Sequence, residues 1–332
     1  MTNTLQIGII GAGMIGTALG NTLASRDHLD VRLFTIEKDV AESISMSGLN
    51  QKYYPNIKLC PTLKASSDID VLRGSGIVFL AIPSVVAVDF IRQNGHIFNE
   101  ETVIINLAKG FGEKQKTITE CLESFQPGSI CSLKGPTFAR EIINGVPTAF
   151  TFAAADEKLF GTMSDLFDST NIHLDFTTDV RGTEVLSILK NIYAIVIGII
   201  DAHFDSPNLR FLFLTRAFNE MKEIMLEMGG EEQTMFRYCG FGDFSLTALN
   251  DLSRNRTLGL LIGKGFFIEN ISDKVVLEGR IAVQEIISYL DSPGKADKKY
   301  PVIYELYRVF NEDYNLSLFV NRLLNNSDKQ SI

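Results

Sequence analysis

A lysine and an asparagine stand in the middle of an otherwise apolar stretch of this sequence. Residues 184–200 read EVLSILKNIYAIVIGII, and the polar pair is Lys190 and Asn191. Good helix formers and no proline predict a helix, and apolar residues on nearly every side predict that it is buried. A buried ammonium group is strongly disfavoured unless it is paired, and a buried lysine suits proton transfer. Taken alone, the segment favours a lysine that extends to the surface or meets one structural carboxylate, with a proton donor as the alternative.

A glycine-rich segment near the N-terminus has the spacing of a dinucleotide-binding loop. The sequence GAGMIG at 11–16 lies between a short apolar run, 5–10, and a helical pattern, 17–24. In this context the first glycine permits a tight turn, the second lets the backbone approach a pyrophosphate, and the third allows close helix–strand packing. The following helix N-terminus favours the phosphate charge. A glycine-rich turn without a nucleotide is the weaker alternative, and we predict cofactor contacts at Gly11, Gly13, Met14, Ile15 and Gly16.

An acidic residue follows the second predicted strand, 31–34, at the position where such folds bind a ribose. Glu37 lies about 20 residues after the last glycine of the loop, close to where a carboxylate accepts a hydrogen bond from a ribose 2′-hydroxyl. The same carboxylate would repel a 2′-phosphate, so the sequence favours NAD. Lys38 beside it makes that preference modest, and NADP is the alternative cofactor.

Polar groups follow several of the predicted strands in the first half of the chain. They occur at Pro83-Ser84, Lys109-Gly110, 135–141 and 146–148. Ligands of open α/β sheets bind beyond the carboxyl ends of the strands, so Lys109 would be placed to meet a substrate or the cofactor. Each of these sites could also be a plain turn, which for a single lysine after a strand is the better-supported reading.

The second half of the chain adds two polar clusters. Asp243 and Thr247 are four residues apart, so they share one face if their segment is helical. Ser253, Arg254 and Asn255 are donors suited to a phosphate group, and an arginine can bind a phosphate with two parallel hydrogen bonds. The alternative is that these three residues cap a helix.

The elements that must position these residues change character along the chain. Up to about residue 178, apolar strand candidates alternate with helical segments, which predicts a Rossmann-type, doubly wound α/β sheet. Beyond that point helical periodicity dominates, which predicts an all-helical second domain. We therefore predict domains at 1–180 and 181–332, with the Lys190 helix at or near their junction. The predicted strands are 5–10, 31–34, 76–82, 102–106, 129–133, 148–153 and 173–176, and the predicted helical stretches after the boundary are 211–226, 258–263, 283–290, 302–309 and 316–324.

Composition limits the classes of function. The 332-residue chain has a formal net charge of −9, which argues against a nucleic-acid binder or a membrane-surface protein. Four scattered cysteines without metal-type spacing, and no signal segment, indicate a cytoplasmic protein with reduced thiols. We expect no apolar run to approach the ~20 residues that span a bilayer. The four histidines lack metal-ligand spacing, so no metal site is predicted.

Nine short motifs, in order and at matching spacing from residue 5 to about 285, give the chain a specific resemblance. It resembles the NAD(P)-dependent glycerol-3-phosphate dehydrogenases. The motifs are GAGMIG at 11–16, AIPS at 81–84, AKG at 108–110, GPTFARE at 135–141, VPTA at 146–149, LKNIYAI at 189–195, GFGDFSLT at 240–247, SRNR at 253–256 and LEG at 277–279.

The resemblance implies a reaction and roles for residues. The reaction is reversible hydride transfer between NAD(P)H and dihydroxyacetone phosphate, a small phosphorylated substrate, giving sn-glycerol 3-phosphate. By similarity, Lys190 is the general acid and base, and Asp243 orients it and balances its charge. Asn191 and Thr247 complete that polar shell, and Lys109 supports the same oxygen or the cofactor. An ammonium group near the ketone suits this chemistry, because hydride addition builds negative charge on the ketone oxygen.

The resemblance also implies binding contacts and an assembly. The helical domain is expected to resemble the C-terminal domain of 6-phosphogluconate dehydrogenase, and the protein is expected to be a homodimer. The implied substrate contacts are Lys109, Gly135, Thr137, Lys190, Asp243, Ser253, Arg254 and Asn255. The implied cofactor contacts beyond the glycine loop are Glu37, Pro83, Lys109, Ala139, Arg254 and Glu278.

The sequence departs from the family pattern in two places. Ile15 stands where the family usually has an aromatic residue. Residues 201–212 replace a glycine-rich loop, and Pro207, Arg210 and Phe211 are bulkier and stiffer than the small residues of the family. A pocket of altered shape would accept a different phosphorylated or carboxylated hydroxy compound, which is the second interpretation. A non-catalytic NAD-binding paralogue is the third, although such a protein has no need of a proton donor.

Overall fold

The computed structural model describes residues 4–266, 273–290 and 299–325. The chain divides into two compact units, Met1–Glu184 and Val185–Ile332. The first contains all the strands found in the described part of the chain, and the described residues of the second are helical apart from their connections. The predicted fold class, a doubly wound α/β domain followed by a helical domain, is confirmed.

One eight-stranded sheet forms the centre of the first unit. Its strand order is β3-β2-β1-β4-β5-β6-β7-β8, and every neighbouring pair is parallel except β6 and β7. The carboxyl ends of β1, β4, β5 and β6 therefore lie along one edge of the sheet. The strands are β1 Leu5–Ile10, β2 Leu29–Phe34, β3 Lys64–Ser66, β4 Ile77–Leu80, β5 Val103–Asn106, β6 Ser129–Lys134, β7 Thr148–Ala153 and β8 Ile172–Thr177.

Helices pack on the sheet because its strands are apolar on both faces. Successive residues of a strand point to opposite faces, so Ile9 belongs to one buried cluster and Ile10 to another. A strand buried on both faces reads as a continuous apolar run, as β1 and β4 do. The helices of this unit are α1 Met14–Ala24, α2 Lys38–Ser47, α3 Ser84–Asn94, α4 Ile118–Glu123, α5 Ala139–Ile143 and α6 Lys158–Phe167.

The long helix α7, Val180–His203, crosses the division of the chain and continues into the second unit. A 3₁₀ turn (Glu232–Phe236) and a π-helical turn (Tyr238–Gly242) precede α9, and another 3₁₀ turn, Leu316–Leu318, precedes the last helix. The remaining helices are α8 Pro207–Glu227, α9 Asp243–Leu249, α10 Arg254–Gly263, α11 Asp273–Leu290, α12 Pro301–Asn311 and α13 Phe319–Asn325.

The expectation that no segment is long and apolar enough to cross a membrane is wrong for α7. By length and composition alone this helix qualifies, in the described part of the chain. Of its most apolar 18-residue window, however, 83% is buried inside the protein. A core helix passes the same test of composition, and the burial is what a helix apolar on all sides predicts.

Glycines allow α7 and α10 to approach backbone to backbone. A Cβ atom added at Gly259 of α10 would lie 2.0 Å from the backbone oxygen of Ile195 in α7. A Cβ atom added at Gly198 would lie 2.9 Å from the Cα atom of Gly259. Both distances are too short for a side chain, so the two helices are in contact only because these positions are glycine.

Candidate active site

Lys190 lies in the middle of α7 with 3% of its surface exposed, and two residues of α9 hold its ammonium group. Its Nζ atom donates hydrogen bonds to the carboxylate of Asp243 and to the hydroxyl of Thr247, the latter at 3.0 Å. Asp243 begins α9 and Thr247 lies one turn later, so the two residues do share one face. The buried cation is therefore paired with a buried carboxylate, as its burial requires.

The local fold fixes Asp243 at the start of its helix. The π-helical turn Tyr238–Gly242 leads directly into α9, and such turns are frequent at functional sites. At Gly240, an added Cβ atom would lie 2.2 Å from the backbone oxygen of Met235, so only glycine fits this turn. Phe244 is buried and stacks on Phe218 of α8, with ring centroids 6.4 Å apart. These contacts aim the carboxylate at α7.

Asn191, next to Lys190, makes a different hydrogen bond from the one expected. Its Nδ2 atom donates to the backbone oxygen of Ser187, one turn earlier in α7, at 3.2 Å. The amide is half-buried. Of the two residues assigned to the polar shell of Lys190, Thr247 therefore contacts the ammonium group, whereas this hydrogen bond of Asn191 stays within its own helix.

The predicted phosphate cluster lies at the N-terminus of α10. Ser253 caps the helix, and its Oγ atom accepts a hydrogen bond from the backbone N–H of Arg256 at 3.3 Å. Arg254 is exposed at the first helical position, and Asn255 is half-buried beside it. The capping interpretation is confirmed for Ser253. The phosphate interpretation stays a prediction, with Arg254 and Asn255 placed at a helix end that favours anions.

Arg256 is a structural cation that sequence reasoning missed. It is buried, and it donates hydrogen bonds to Asp201 Oδ2 at 2.5 Å, to Asp251 Oδ1 at 3.0 Å and to the backbone oxygen of Ala248 at 3.1 Å. Burial lowers the pKa of its guanidinium, but the two carboxylates outweigh that effect, and the pKa of Arg256 is raised. In the sequence, Arg254 and Arg256 are equivalent, and only the structure separates the exposed one from the paired one.

The divergent segment, residues 201–212, contains the end of α7, a short connection and the start of α8. Ser206 caps α8, and Pro207 occupies its first position, where its fixed φ suits a helix and no N–H is needed. The Nε atom of Arg210 donates to Asp201 Oδ1 at 2.7 Å. The buried carboxylate of Asp201 therefore holds Arg210 through one oxygen and Arg256 through the other. An altered pocket shape in this segment stays a prediction.

The glycine loop has the geometry that a pyrophosphate requires. Gly11 has a positive φ of 108°, and its Cβ position lies 2.6 Å from the backbone oxygen of Ala81. A Cβ atom at Gly16 would lie 2.0 Å from the backbone oxygen of Gly11. Gly13 caps α1 without a side-chain hydrogen bond, and nothing lies within 4 Å of its Cβ position. Because α1 has no acidic residue in its first turn, this open space at a helix N-terminus fits a nucleotide phosphate.

Two residues that sequence reasoning did not assign to the site fix this loop. Asn50 is fully buried, and its Nδ2 atom donates to the backbone oxygen of Ala12 and to Thr17 Oγ1, both at 2.9 Å. The hydroxyl of Tyr54 donates to the backbone oxygen of Met14 at 2.9 Å, and burial raises the pKa of Tyr54 to about 12. Their segment has no regular pattern, so polarity was the one signal in the sequence that could have pointed to them.

Glu37 lies just beyond the carboxyl end of β2, at the N-cap of α2, and its carboxylate has two neighbours. Its Oε2 atom accepts from Lys52 Nζ at 2.6 Å, and its Oε1 atom accepts from the hydroxyl of Tyr53 at 3.4 Å. In folds of this class an acidic residue after the second strand binds the ribose. Here Lys52 already lies beside that carboxylate. The sequence points to Lys38 as the neighbouring cation, and the structure adds Lys52.

The remaining predicted residues of the first unit follow the strands of one sheet edge. Pro83 caps α3 after β4, Lys109 is exposed after β5, and Thr137 is half-buried after β6. Gly110 draws two of these loops together, because its Cβ position lies 2.4 Å from Ser84 Oγ. At Gly135 an added Cβ atom would lie 2.4 Å from the backbone oxygen of Ala149. Ala139 begins α5, and in the second unit Glu278 is exposed on α11.

A buried ion pair lies beneath these loops, where β5 and β6 end. Lys134 Nζ is 3.2 Å from Glu184 Oε1, with both side chains almost completely buried, and it donates to the backbone oxygen of Asn106 at 2.8 Å. Asn106 Nδ2 and Ser132 Oγ also donate to Glu184 Oε1, at 2.6 and 2.9 Å. This network connects the end of β5, the end of β6 and the first turns of α7.

No group of three or more histidine, cysteine or acidic side chains that could hold a metal ion occurs in the residues that the structure describes. The described residues that can do chemistry are a lysine–aspartate pair, a glycine-rich loop and an arginine at a helix end.

Comparison with known proteins gives one result for both halves of the chain. Residues 6–160 match the profile of the NAD-dependent glycerol-3-phosphate dehydrogenase N-terminus, and residues 179–321 match that of the C-terminus. A glycerol-3-phosphate dehydrogenase [NAD(P)+] of Leptospira biflexa is 32% identical over 98% of this chain and 99% of that protein. One of Methanothermobacter thermautotrophicus is 34% identical over 95% and 96%. The crystal structure of a glycerol-3-phosphate dehydrogenase from Coxiella burnetii is similar with a TM-score of 0.84, at 26% identity and over 96% and 98% of the two chains.

Proposed function

The chain belongs to the NAD-dependent glycerol-3-phosphate dehydrogenase family, and we propose that it transfers hydride reversibly between NAD(P)H and dihydroxyacetone phosphate, giving sn-glycerol 3-phosphate. It is an NAD(P)-dependent oxidoreductase. Membership over nearly the whole chain supports the reaction. The observation that carries the mechanism is the buried ammonium group of Lys190, held between Asp243 and Thr247.

Lys190 is the general acid of ketone reduction and the general base of the reverse reaction. The nicotinamide supplies the hydride. As the carbonyl carbon gains it, negative charge grows on the oxygen, and the ammonium group stabilises that charge and gives up one proton from Nζ. The products are an alcohol and a neutral amine, and the amine recovers its proton from water or, in the reverse direction, from the alcohol.

Asp243 and Thr247 keep Lys190 ready for that transfer. The carboxylate balances the charge of the ammonium group in a site where it has little water. Thr247 accepts from Nζ, and its own hydroxyl donates to the backbone oxygen of Asp243 at 2.7 Å, so the orientation of the hydroxyl is set. The lysine is thereby held in one direction before the substrate arrives, which reduces the cost of orienting it during the reaction.

Arg254, with Ser253 and Asn255, is proposed to bind the phosphate group of the substrate. Arg254 is exposed, whereas Arg256 is already occupied by Asp201 and Asp251, so the former is the accessible guanidinium of the segment. A guanidinium at a helix N-terminus offers parallel donors and a favourable dipole to a phosphate. Lys109, Gly135 and Thr137 are proposed as further substrate contacts.

The glycine loop and Glu37 are proposed to bind the cofactor, with NAD favoured and NADP as the alternative. The open space at Gly13 supports a pyrophosphate site, and the carboxylate of Glu37 supports a ribose site. The remaining proposed cofactor contacts are Met14, Ile15, Pro83, Lys109, Ala139, Arg254 and Glu278. We also propose that the protein is a cytoplasmic homodimer; light scattering of the purified protein tests the dimer.

A second candidate substrate is a related phosphorylated or carboxylated hydroxy compound. The helical start at Pro207 and the Arg210–Asp201 ion pair favour it, because they give this segment a stiffness that a glycine-rich loop lacks. A panel assay separates the candidates: NADH or NADPH oxidation is followed with dihydroxyacetone phosphate, with dihydroxyacetone and with keto acids. Rapid use of the phosphorylated ketone alone supports the proposed reaction, comparable use of keto acids supports the second candidate, and NADH binding without any turnover supports a non-catalytic protein.

A further inference from the structure

We infer that Lys52 is the residue that lets this chain accept NADP, because it neutralises Glu37 and offers a cation to a 2′-phosphate. The inference rests on the proposed cofactor site at the glycine loop. It adds a specificity-determining residue that lies outside every motif on which the resemblance to the family depends.

The pair of Glu37 and Lys52 is well defined and partly exposed. Lys52 Nζ is 2.6 Å from Glu37 Oε2, and the two side chains are 52% and 31% exposed. Tyr53 supports both partners: its hydroxyl is 3.4 Å from Glu37 Oε1, and its ring centroid is 5.4 Å from Lys52 Nζ. The ammonium group thus lies beside the carboxylate that faces the ribose in this fold.

The backbone around Lys52 is tied to the nucleotide loop itself. Asn50, two residues earlier, donates to the backbone oxygen of Ala12 inside the loop. The same residue accepts backbone hydrogen bonds from the next turn, from Tyr53 N at 3.2 Å and from Tyr54 N at 2.7 Å. Asn50 therefore connects the turn that carries Lys52 to the phosphate-binding loop. The hydrogen bonds of Asn50 therefore fix the position of Lys52 relative to this loop.

Charge explains why this lysine matters more for NADP than for NAD. A phosphate monoester carries about −1.5 to −2 charges at neutral pH, so an unpaired carboxylate beside it is repulsive. Lys52 removes that repulsion and adds an attractive partner. An exposed ion pair is weak because water screens it, so Lys52 can exchange the carboxylate for a phosphate at little cost. When NAD binds, the carboxylate of Glu37 can keep its ion pair with Lys52 and still accept a hydrogen bond from the ribose hydroxyl, because a carboxylate has several acceptor sites.

The test uses two nucleotides that differ only in the 2′-phosphate: adenosine 2′,5′-bisphosphate and adenosine 5′-monophosphate. Their dissociation constants are measured by titration calorimetry on the full chain, for wild type, Lys52→Met and Lys52→Arg. The Met variant is expected to bind the bisphosphate roughly fivefold to tenfold more weakly while its affinity for the monophosphate changes less than about twofold. The Arg variant is expected to retain the wild-type ratio, and the ratio of kcat/KM with NADPH to that with NADH is expected to change in parallel.

Lys64→Met is the matched control. Lys64 is 60% exposed and also pairs with a carboxylate, that of Asp30 in β2, at 2.8 Å, but it lies outside the proposed ribose site. Its replacement should leave both affinities unchanged. Equal weakening of both nucleotides in Lys52→Met would overturn the inference, because Lys52 would then only support the fold of the site. No change in the ratio would overturn it as well.

The same experiment separates this inference from the proposed function. If wild type binds neither nucleotide, the cofactor site and the inference both fail. If the nucleotides bind with the expected dependence on Lys52 while dihydroxyacetone phosphate is not reduced, the inference stands and the proposed reaction fails.

Discussion

Replacing Lys134 with methionine should destabilise the first unit by about 3 kcal/mol. The substitution keeps most of the side-chain volume but removes the charge that faces Glu184, in a pair whose side chains are 0% and 2% exposed. Breaking a buried ion pair by removing one partner costs about 3–5 kcal/mol, because the other charge remains buried. Glu184 keeps donors from Asn106, Ser132 and Thr119, which places the expected cost at the low end of that range.

The effect should appear as a lower melting temperature. For a unit of this size, 1 kcal/mol corresponds to about 2–4 °C, so a decrease of roughly 6–12 °C is expected. Far-ultraviolet circular dichroism is the suitable probe, because the chain contains no tryptophan and offers little intrinsic fluorescence. Lys158→Met, which removes an exposed lysine of α6, is the control and should change stability by less than about 0.5 kcal/mol.

A double variant tests the reasoning behind that number. Lys134→Met with Glu184→Gln removes both charges, so it should recover part of the lost stability relative to Lys134→Met alone. A decrease of less than 2 °C in the single variant, or a double variant that is as unstable as the sum of both single variants, would refute the account of this pair.

Three further predictions concern packing, pH and the cofactor loop. Gly259→Ala should lower both the melting temperature and the activity, because its Cβ atom would lie 2.0 Å from a backbone oxygen of α7. The control is Gly161→Ala, in an open position of α6, which should leave the stability unchanged or raise it by up to ~1 kcal/mol. Burial raises the pKa of Glu220 to about 7, despite hydrogen bonds from Tyr193 and from two backbone N–H groups of α12. Because the folded state holds that proton more tightly than the unfolded state, protonated Glu220 contributes roughly 3 kcal/mol to the free energy of unfolding. This contribution is fully present below about pH 4.5 and is lost as pH rises through about 7. Urea titrations at several pH values should show this decrease in the free energy of unfolding for wild type and not for Glu220→Gln. Asn50→Ala should weaken NADH binding by about tenfold, measured by calorimetry, because it frees the loop at 11–16; unchanged binding would show that Asn50 does not hold the loop.

Local pattern was sufficient for most of the fold. Apolar runs such as those at β1 and β4 predict strands buried on both faces, and they were found where expected. The short strand β3, Lys64–Ser66, was missed because three residues with one apolar side chain carry no periodic signal. The length and apolarity of α7 are visible in the sequence, and they give this helix the composition of a membrane-crossing segment, contrary to the expectation.

Only those features of the site that depend on the spacing of residues within one helix could be predicted from the sequence. That Asp243 and Thr247 share one face follows from their spacing once their segment is known to be helical. Their hydrogen bonds with Lys190 explain how its ammonium group can be buried. The pairs Lys134–Glu184 and Glu37–Lys52 join residues 50 and 15 positions apart, respectively, so no local pattern relates them. Likewise, the different roles of Arg254 and Arg256 depend on which one meets Asp201, a contact made through tertiary structure.

The central claim is that Lys190 supplies the proton, and one comparison of variants tests it most directly. NADH oxidation with dihydroxyacetone phosphate is measured for wild type, for Lys190→Met and for Lys190→Met with Asp243→Asn, which leaves no unpaired buried charge. NADH binding and circular dichroism are measured on the same samples. We predict that both variants bind NADH as wild type does, while kcat falls by about 10²- to 10⁴-fold, the usual contribution of a general acid. Turnover within a few-fold of wild type in the folded double variant would contradict the mechanism.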